Sequence, residues 1–102
     1  MNNKKLIRQQ FRNAVFKRDA YKCCFCDADN ELNAHHITDR NEMPNGGYVL
    51  ENGATLCPQH HMMAEKFHIS GGKEWEPGFH PDDLYKEIGS SKEKAIEASE
   101  KL

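Results

Sequence analysis

The chain has no long hydrophobic run, and none of its apolar stretches approaches the roughly 18 residues that a membrane span needs. Residues 1–5 also lack the apolar stretch that an export signal requires. We therefore expect a cytoplasmic protein with no membrane partner. The 102 residues, of which 37% are hydrophobic and 29% charged, are typical of one globular domain over residues 1–102.

The chain also has little net charge, −2 at pH 7, which by itself argues against a nucleic-acid partner. The charges are unevenly distributed, because residues 1–22 contain seven basic residues and one acidic residue, a net charge of +6. Charge alone favours the simpler interpretation, a solvated helix face, over a surface that binds phosphates. The residues that would bind nucleic acid on the second interpretation are Lys5, Arg8, Arg12, Lys17 and Arg18.

Hydrophobic periodicity and turn residues predict a mixed α+β domain with a core over about residues 11–67. Pro58 and Pro81 suit first helical positions. Ser90 and Glu93 match a capping box that opens a last helix. The predicted elements are a basic helix over 5–17, strands over 32–37 and 48–50 joined by a loop over 39–47, a helix over 58–67, and two short helices in a C-terminal extension over 81–102.

Cysteines are few, and three of the four lie within residues 23–26. Clustered cysteines near histidines in a cytosolic chain favour a metal over disulfides. The pairs Cys23-x-x-Cys26 and Cys57-x-x-His60 provide the four ligands of a tetrahedral Zn²⁺, which we expect to be structural. The alternative is that these cysteines are small buried apolar residues, which does not explain the spacing. Cys24 is then a spare thiol.

Two pairs of adjacent histidines form a second pattern. Consecutive strand residues point to opposite faces, so His35 and His36 have different surroundings. Consecutive helix residues are about 100° apart, so His61 faces the strands when the preceding histidine faces the zinc. A second metal can then bridge one of the two strand histidines and His61, with Glu65 as a third ligand one turn along the helix. The alternative for a lone histidine is a hydrogen-bonded surface residue.

Three segments of the sequence resemble the His-Asn-His (HNH) endonuclease family over about residues 11–67. They are Phe-Lys-Arg-Asp-Ala-Tyr-Lys-Cys-Cys-Phe-Cys over 16–26, Ala-His-His-Ile over 34–37 and Glu-Asn-Gly-Ala-Thr-Leu-Cys-Pro-Gln-His-His over 51–61. The resemblance implies a ββα-metal core, in which a β-hairpin with a long loop and a helix grip one divalent ion. It also implies a protein of prokaryotic or phage type.

The resemblance implies a role for each matched residue. His36 corresponds to the general base, Asn52 to the middle Asn of the motif, and His35 and His61 to metal ligands. The chain departs from many members, which have Asp in place of His35 or a third histidine in place of Glu65. The mixed His/carboxylate set would accept Mg²⁺, Mn²⁺, Ni²⁺ or Zn²⁺. Whether Glu65 binds directly or through water stays open.

The resemblance thus implies a metal-dependent endonuclease that hydrolyses phosphodiester bonds, with double-stranded DNA as the expected substrate. A monomer with one site would nick, and paired cuts would need a homodimer or two visits. We expect weak sequence selectivity, or a protein partner that supplies it. One alternative is a zinc-ribbon module that binds nucleic acid or protein without cutting. Another is a metal or redox sensor with Cys24 as the reactive thiol, which requires a low thiol pKa.

Overall fold

A computed structural model describes residues 4–102, so the first three residues of the predicted domain lie outside the described part. The architecture is mixed α+β, as predicted, with four helices and a two-stranded sheet. No helix among the described residues is long and apolar enough to cross a membrane. In chain order the elements are α1 (Lys4–Arg18), β1 (Asn33–His36), β2 (Gly53–Leu56), α2 (Pro58–Ile69), α3 (Pro81–Glu87) and α4 (Lys92–Glu100).

The two strands form a short antiparallel hairpin. Asn33 pairs with Leu56 and His36 pairs with Gly53. All four residues of β2 are buried, because α1 packs on one face of the hairpin and α2 on the other. A strand that is buried on both faces has no alternation of apolar and polar residues. The hairpin therefore places one face of β1 against α1 and the other against α2.

The prediction of a strand over residues 48–50 is wrong. Leu50 is 38% exposed and begins a single 3₁₀ turn instead. The guanidinium group of Arg18 donates hydrogen bonds to the carbonyl oxygens of Leu50, at 2.8 Å, and Gly53, at 2.6 Å. This segment is thus held to the end of α1, and the chain pairs with β1 only from Gly53 onward.

Helix α1 docks on the hairpin through its apolar face. Phe11 and Val15 are its buried residues. The close approach requires Gly53, because a Cβ atom there would lie 2.4 Å from Cγ2 of Val15 and 2.9 Å from the ring of Phe11. The carboxylate of Asp19 accepts a hydrogen bond from the backbone N–H of Thr55 at 3.0 Å. The helix that carries the basic residues is therefore fixed against the strands.

Helix α2 begins at Pro58, as predicted, but ends at Ile69, two residues beyond the predicted range 58–67. The extra half turn brings His68 into the helix. Ser70 ends the helix and the left-handed residues Gly71 and Gly72 follow it. The longer helix therefore presents one more histidine to the hairpin than the sequence pattern predicted.

The C-terminal helices pack against the core, as expected of the extension over residues 81–102. Tyr85 of α3 and Ala95 of α4 are buried. The predicted capping box at Ser90 is wrong by one residue: Ser91 is the N-cap of α4, and its hydroxyl accepts a hydrogen bond from the N–H of Lys94 at 3.1 Å. The hydroxyl of Ser90 donates instead to the carbonyl oxygen of Glu51 at 2.9 Å, which ties the extension to the loop before β2.

We predict that Gly53→Ala lowers the free energy of unfolding by about 1–3 kcal/mol, the cost of overpacking a core. Because the new methyl group meets Val15 first, Val15→Ala should relieve part of this cost. Urea unfolding of both single variants and the double variant measures the coupling. A double variant that loses less than the sum of the two single losses is expected, whereas strict additivity would contradict the close approach of α1 to β2.

Candidate metal centre and adjoining cleft

The predicted zinc ligands lie together in the structure. Sγ of Cys23 and of Cys57 lie 3.5 and 3.3 Å from Nδ1 of His60, and Sγ of Cys26 lies 3.8 Å from Sγ of Cys57. A tetrahedral Zn²⁺, with Zn–S of about 2.3 Å and Zn–N of about 2.0–2.1 Å, needs ligand atoms about 3.5–3.8 Å apart. The Cys₃His group therefore fits a metal such as Zn²⁺, and it joins the segment after α1 to the start of α2.

Local structure explains why these four ligands converge. The N–H of Cys23 donates to the carbonyl oxygen of Ala28 at 2.9 Å, which folds the first pair into a tight turn. Cys57 is the N-cap of α2, so His60 follows one turn later on the same side. The ring of His60 stacks on that of Phe79 with centroids 5.6 Å apart and an angle of 10°. This aromatic contact shields one side of the group.

Cys24 lies outside the Cys₃His group. Its backbone N–H donates to the carbonyl oxygen of Thr55 at 2.9 Å, so the residue continues the edge of the hairpin. Burial of the thiol and the negative charge of Asp19 raise the pKa of Cys24 to about 12. A thiol with this pKa is protonated at neutral pH and is a poor nucleophile. The interpretation of Cys24 as a reactive sensor thiol therefore gains no support.

A second cluster lies where β1 faces α2. Nδ1 of His35 and Nε2 of His61 lie 3.3 and 3.4 Å from the same carboxylate oxygen of Glu65. The compact set of possible ligand atoms consists of His35, Glu65 and His68, all within 4.8 Å of one another. The sequence predicted His35, His61 and Glu65 and missed His68. The signal was its position seven residues after His61, but the predicted helix ended too early to include it.

The chemistry of this second cluster suits a cation. Burial of the ring of His35 lowers its pKa, although the charge of Glu65 opposes this shift. The imidazole is therefore neutral and has a lone pair to offer. Interaction with His35 lowers the pKa of Glu65, which is an anion at neutral pH. Imidazole nitrogens around a carboxylate are a donor set that divalent transition metals accept.

His36 lies on the opposite face of β1, as alternation requires. Its ring stacks on Phe11, with centroids 4.6 Å apart, and meets Tyr48 edge-on at 4.8 Å. Burial, together with the proximity of His35 and the positive charge of Arg40, lowers the pKa of His36 to about 4. Its Nε2 atom is buried and has no hydrogen-bond partner among the described residues. His36 is thus a neutral, firmly packed imidazole with an unpartnered nitrogen.

Two cavities meet at His36. One, of about 460 Å³, is lined by His36 and three arginines, Arg8, Arg12 and Arg40. The other, of about 240 Å³, contains the second cluster and is also lined by His36 and Arg40. Nη1 of Arg40 donates a hydrogen bond to the hydroxyl of Tyr48 at 3.5 Å, and Arg8 lines the same cavity as these two residues. Sequence reasoning missed Arg40, an isolated base in a polar loop.

The predicted basic residues of α1 divide into three groups. Arg8 and Arg12 are exposed and line the larger cavity. Lys5 and Lys17 are exposed but are not among its lining residues. Arg18 is held by Asp19, with two hydrogen bonds of 2.8 Å, and by the carbonyl oxygens before β2. Four of the hydrogen bonds that Arg18 donates therefore hold the fold together.

Asn52 is fully buried, and its side chain holds the loop that follows β1. Its Oδ1 accepts hydrogen bonds from the N–H of Thr38 at 3.0 Å and the hydroxyl of Tyr85 at 2.7 Å. Its Nδ2 donates to the carbonyl oxygens of Thr38 and Gly47. Within the described residues, Asn52 makes no hydrogen bond to the ring of His36. Its side chain therefore acts on the backbone that follows β1 and not on the ring itself.

No family model matches the chain, and no curated protein or solved structure matches it. The resemblance to the HNH family, the ββα-metal core and the catalytic roles of individual residues therefore stay predictions. The α+β architecture and a Cys₃His group that can hold a metal are what the structure establishes.

We predict that Cys23→Ser releases zinc from the purified protein and that Cys24→Ser retains it, because only the first thiol lies in the ligand group. The two substitutions are matched in size and adjacent in sequence. Zinc content by atomic emission, together with circular dichroism of each variant, checks this assignment. Zinc lost from the Cys24 variant and kept by the Cys23 variant would overturn the ligand set.

Proposed function

We propose that this protein is a metal-dependent endonuclease that hydrolyses phosphodiester bonds in double-stranded DNA. The observation that carries the proposal is the shared position of His36 and Arg40, which line both the cavity with the arginines of α1 and the cavity with the second cluster. A phosphate between the two cavities would lie beside a neutral imidazole, a guanidinium group and a possible metal site. These three groups meet the demands of phosphodiester hydrolysis.

His36 is the proposed general base. Its neutral ring can take a proton from water, and its contacts with Phe11 and Tyr48 restrict its orientation. An anionic phosphate next to the ring raises the pKa of the imidazole toward neutral pH, and this makes His36 a better base. A divalent ion held by His35, His61 and Glu65 would act as a Lewis acid on the phosphate and its departing 3′ oxygen. The products would carry 5′-phosphate and 3′-hydroxyl ends.

Asn52 is a positioning residue in this proposal. It ties Thr38, two residues beyond His36, to Gly47 at the far side of the loop. The N–H of Ile37 also donates to the carbonyl oxygen of Asn52 at 2.9 Å. These bonds fix the exit of β1, and with it the direction in which His36 points.

Substrate binding is assigned to Arg8, Arg12 and Arg40. Their guanidinium groups can bind phosphate oxygens in a bidentate manner, and together they offset the negative net charge of the chain at the cleft. They contact the backbone and carry no sequence information. We propose that a monomer nicks one strand, that paired cuts need a homodimer, and that sequence selectivity is weak unless a protein partner supplies it.

The test of the proposed function is relaxation of a supercoiled plasmid by the zinc-containing protein with added Mg²⁺, Mn²⁺, Ni²⁺ or Zn²⁺, or with EDTA. We expect metal-dependent cutting by the wild type and a rate about 10²–10⁴-fold lower for His36→Ala, the usual contribution of a general base. His80→Ala is the matched control, because His80 caps α3 outside the second cluster. It should cut at the wild-type rate.

Cutting by His36→Ala at the wild-type rate would contradict the assignment of the base. No cutting by the wild type with any of these ions, on duplex DNA, single-stranded DNA or RNA, would contradict the nuclease itself. Retained DNA binding in that case would favour the alternative, a zinc-ribbon module that does not cut.

We predict that replacing both Arg8 and Arg12 by Ala weakens binding to a short DNA duplex and reduces the dependence of log Kd on log salt by about 0.9 for each phosphate that the variant no longer neutralises. Replacing both Lys5 and Lys17 by Ala removes the same charge outside the cleft and should change the slope less. Fluorescence anisotropy in the His36→Ala background measures binding without cutting. Equal slopes for the two pairs would show that the cleft does not bind DNA.

A further inference from the structure

His35 is a buried imidazole with unsatisfied ring nitrogens. The residue is 2% exposed, and neither Nδ1 nor Nε2 has a hydrogen-bond partner among the described residues. Nδ1 lies at ion-pair distance, 3.3 Å, from a carboxylate oxygen of Glu65. Burying a polar nitrogen without a partner is costly, and a protein interior rarely tolerates it unless a ligand satisfies the group. A ligand bound between the ring of His35 and α2 would satisfy these nitrogens.

Helix α2 presents three possible ligands to that ring. His61, Glu65 and His68 follow each other at intervals of four and three residues, so they lie on one stripe of the helix. The rings of His61 and His68 each lie 5.3 Å from the ring of His35, measured between centroids. His68, Glu65 and His35 also offer ligand atoms within 4.8 Å of one another. His68 is therefore as close to the centre of the cluster as the predicted ligands are.

The hydrogen bond of His68 prepares it to bind a metal. Its Nε2 lies 3.0 Å from the carbonyl oxygen of His36. A carbonyl oxygen only accepts, so Nε2 carries the proton in this hydrogen bond and Nδ1 is the nitrogen left to bind a metal. Histidines that bind metals usually donate their other N–H to a carbonyl or carboxylate, which fixes the tautomer and the orientation of the ring. This bond also joins His68 to the backbone of the proposed base.

We propose that His68 is a direct ligand of the second metal, which makes the site a set of three imidazoles and one carboxylate. Such a set favours Zn²⁺, Ni²⁺ or Co²⁺ and disfavours Mg²⁺, which prefers an octahedral shell of oxygens. The inference rests on the proposed function, because it names a ligand and the ion class of the same site. Of the four ions that the sequence allowed, the inference excludes Mg²⁺.

The test is a Co²⁺ titration of protein in which one equivalent of Zn²⁺ fills the Cys₃His group, followed by visible absorption. His68→Gln keeps a side-chain N–H for the carbonyl oxygen of His36 but removes the imidazole. We expect it to weaken Co²⁺ binding at least about tenfold. His68→Cys loses the donor but offers a thiolate, and we expect a new sulfur-to-cobalt absorption band. Millimolar Mg²⁺ should not displace Co²⁺ from the wild type.

Two variants are the controls. His35→Gln is expected to abolish Co²⁺ binding at the second site, and His80→Gln is expected to preserve it. Unchanged Co²⁺ affinity in His68→Gln together with no thiolate band in His68→Cys would overturn the inference. It would leave His68 as a hydrogen-bond partner of β1 only. Displacement of Co²⁺ by Mg²⁺ would overturn the ion preference.

The two proposals fail in different ways. A wild type that binds Co²⁺ through His68 but cuts no nucleic acid contradicts the nuclease and supports the metal site. A wild type that cuts DNA while His68→Gln binds Co²⁺ normally contradicts only the role of His68. Thermal unfolding of each variant with zinc present separates loss of a ligand from loss of the fold.

Discussion

The pairing of β1 with β2 is the constraint on which the rest of the site depends. It fixes the four residues Asn33–His36 as an extended strand between α1 and α2, so adjacent histidines must face opposite ways. His35 then meets Glu65 of α2, and His36 meets Phe11 of α1 and the arginine-lined cleft. A slip of one residue in this register would exchange the two faces and separate both histidines from their partners.

Helix α2 contributes side chains to both groups of possible metal ligands. His60 and His61 are neighbours at the start of α2, and the angle of about 100° between them turns one toward the cysteines and the other toward Glu65. A zinc in the Cys₃His group would therefore also fix the rotation of α2 and the placement of the second cluster. This coupling matters in a chain of 102 residues, whose core alone has little area to bury.

The sequence predicted what depends on local spacing. Ligand spacing predicts the two pairs of zinc ligands, and proline geometry predicts the start of α2 at Pro58. Strand alternation predicts the opposite directions of His35 and His36. The sequence did not reveal β2, because a strand buried on both faces has no periodicity. It also did not reveal the structural role of Arg18, because that role depends on contacts with residues 32 and 35 positions away. Arg40 lies at the site only because of the way its loop folds, which the sequence pattern does not indicate. The HNH identity and DNA cleavage stay predictions, since no family, curated protein or solved structure matches the chain.

In the proposed function, His36 and the second cluster act on one phosphodiester, independently of how DNA is bound. The most direct measurement is hydrolysis of bis(p-nitrophenyl) phosphate, a small diester that needs no DNA-binding surface, by the zinc-containing protein with added Ni²⁺ or Mn²⁺. We expect release of p-nitrophenolate that His35→Ala and His36→Ala each abolish and that His80→Ala, at a residue outside both cavities, leaves unchanged. Release that never exceeds the metal-only blank, or that survives both histidine substitutions, would contradict it.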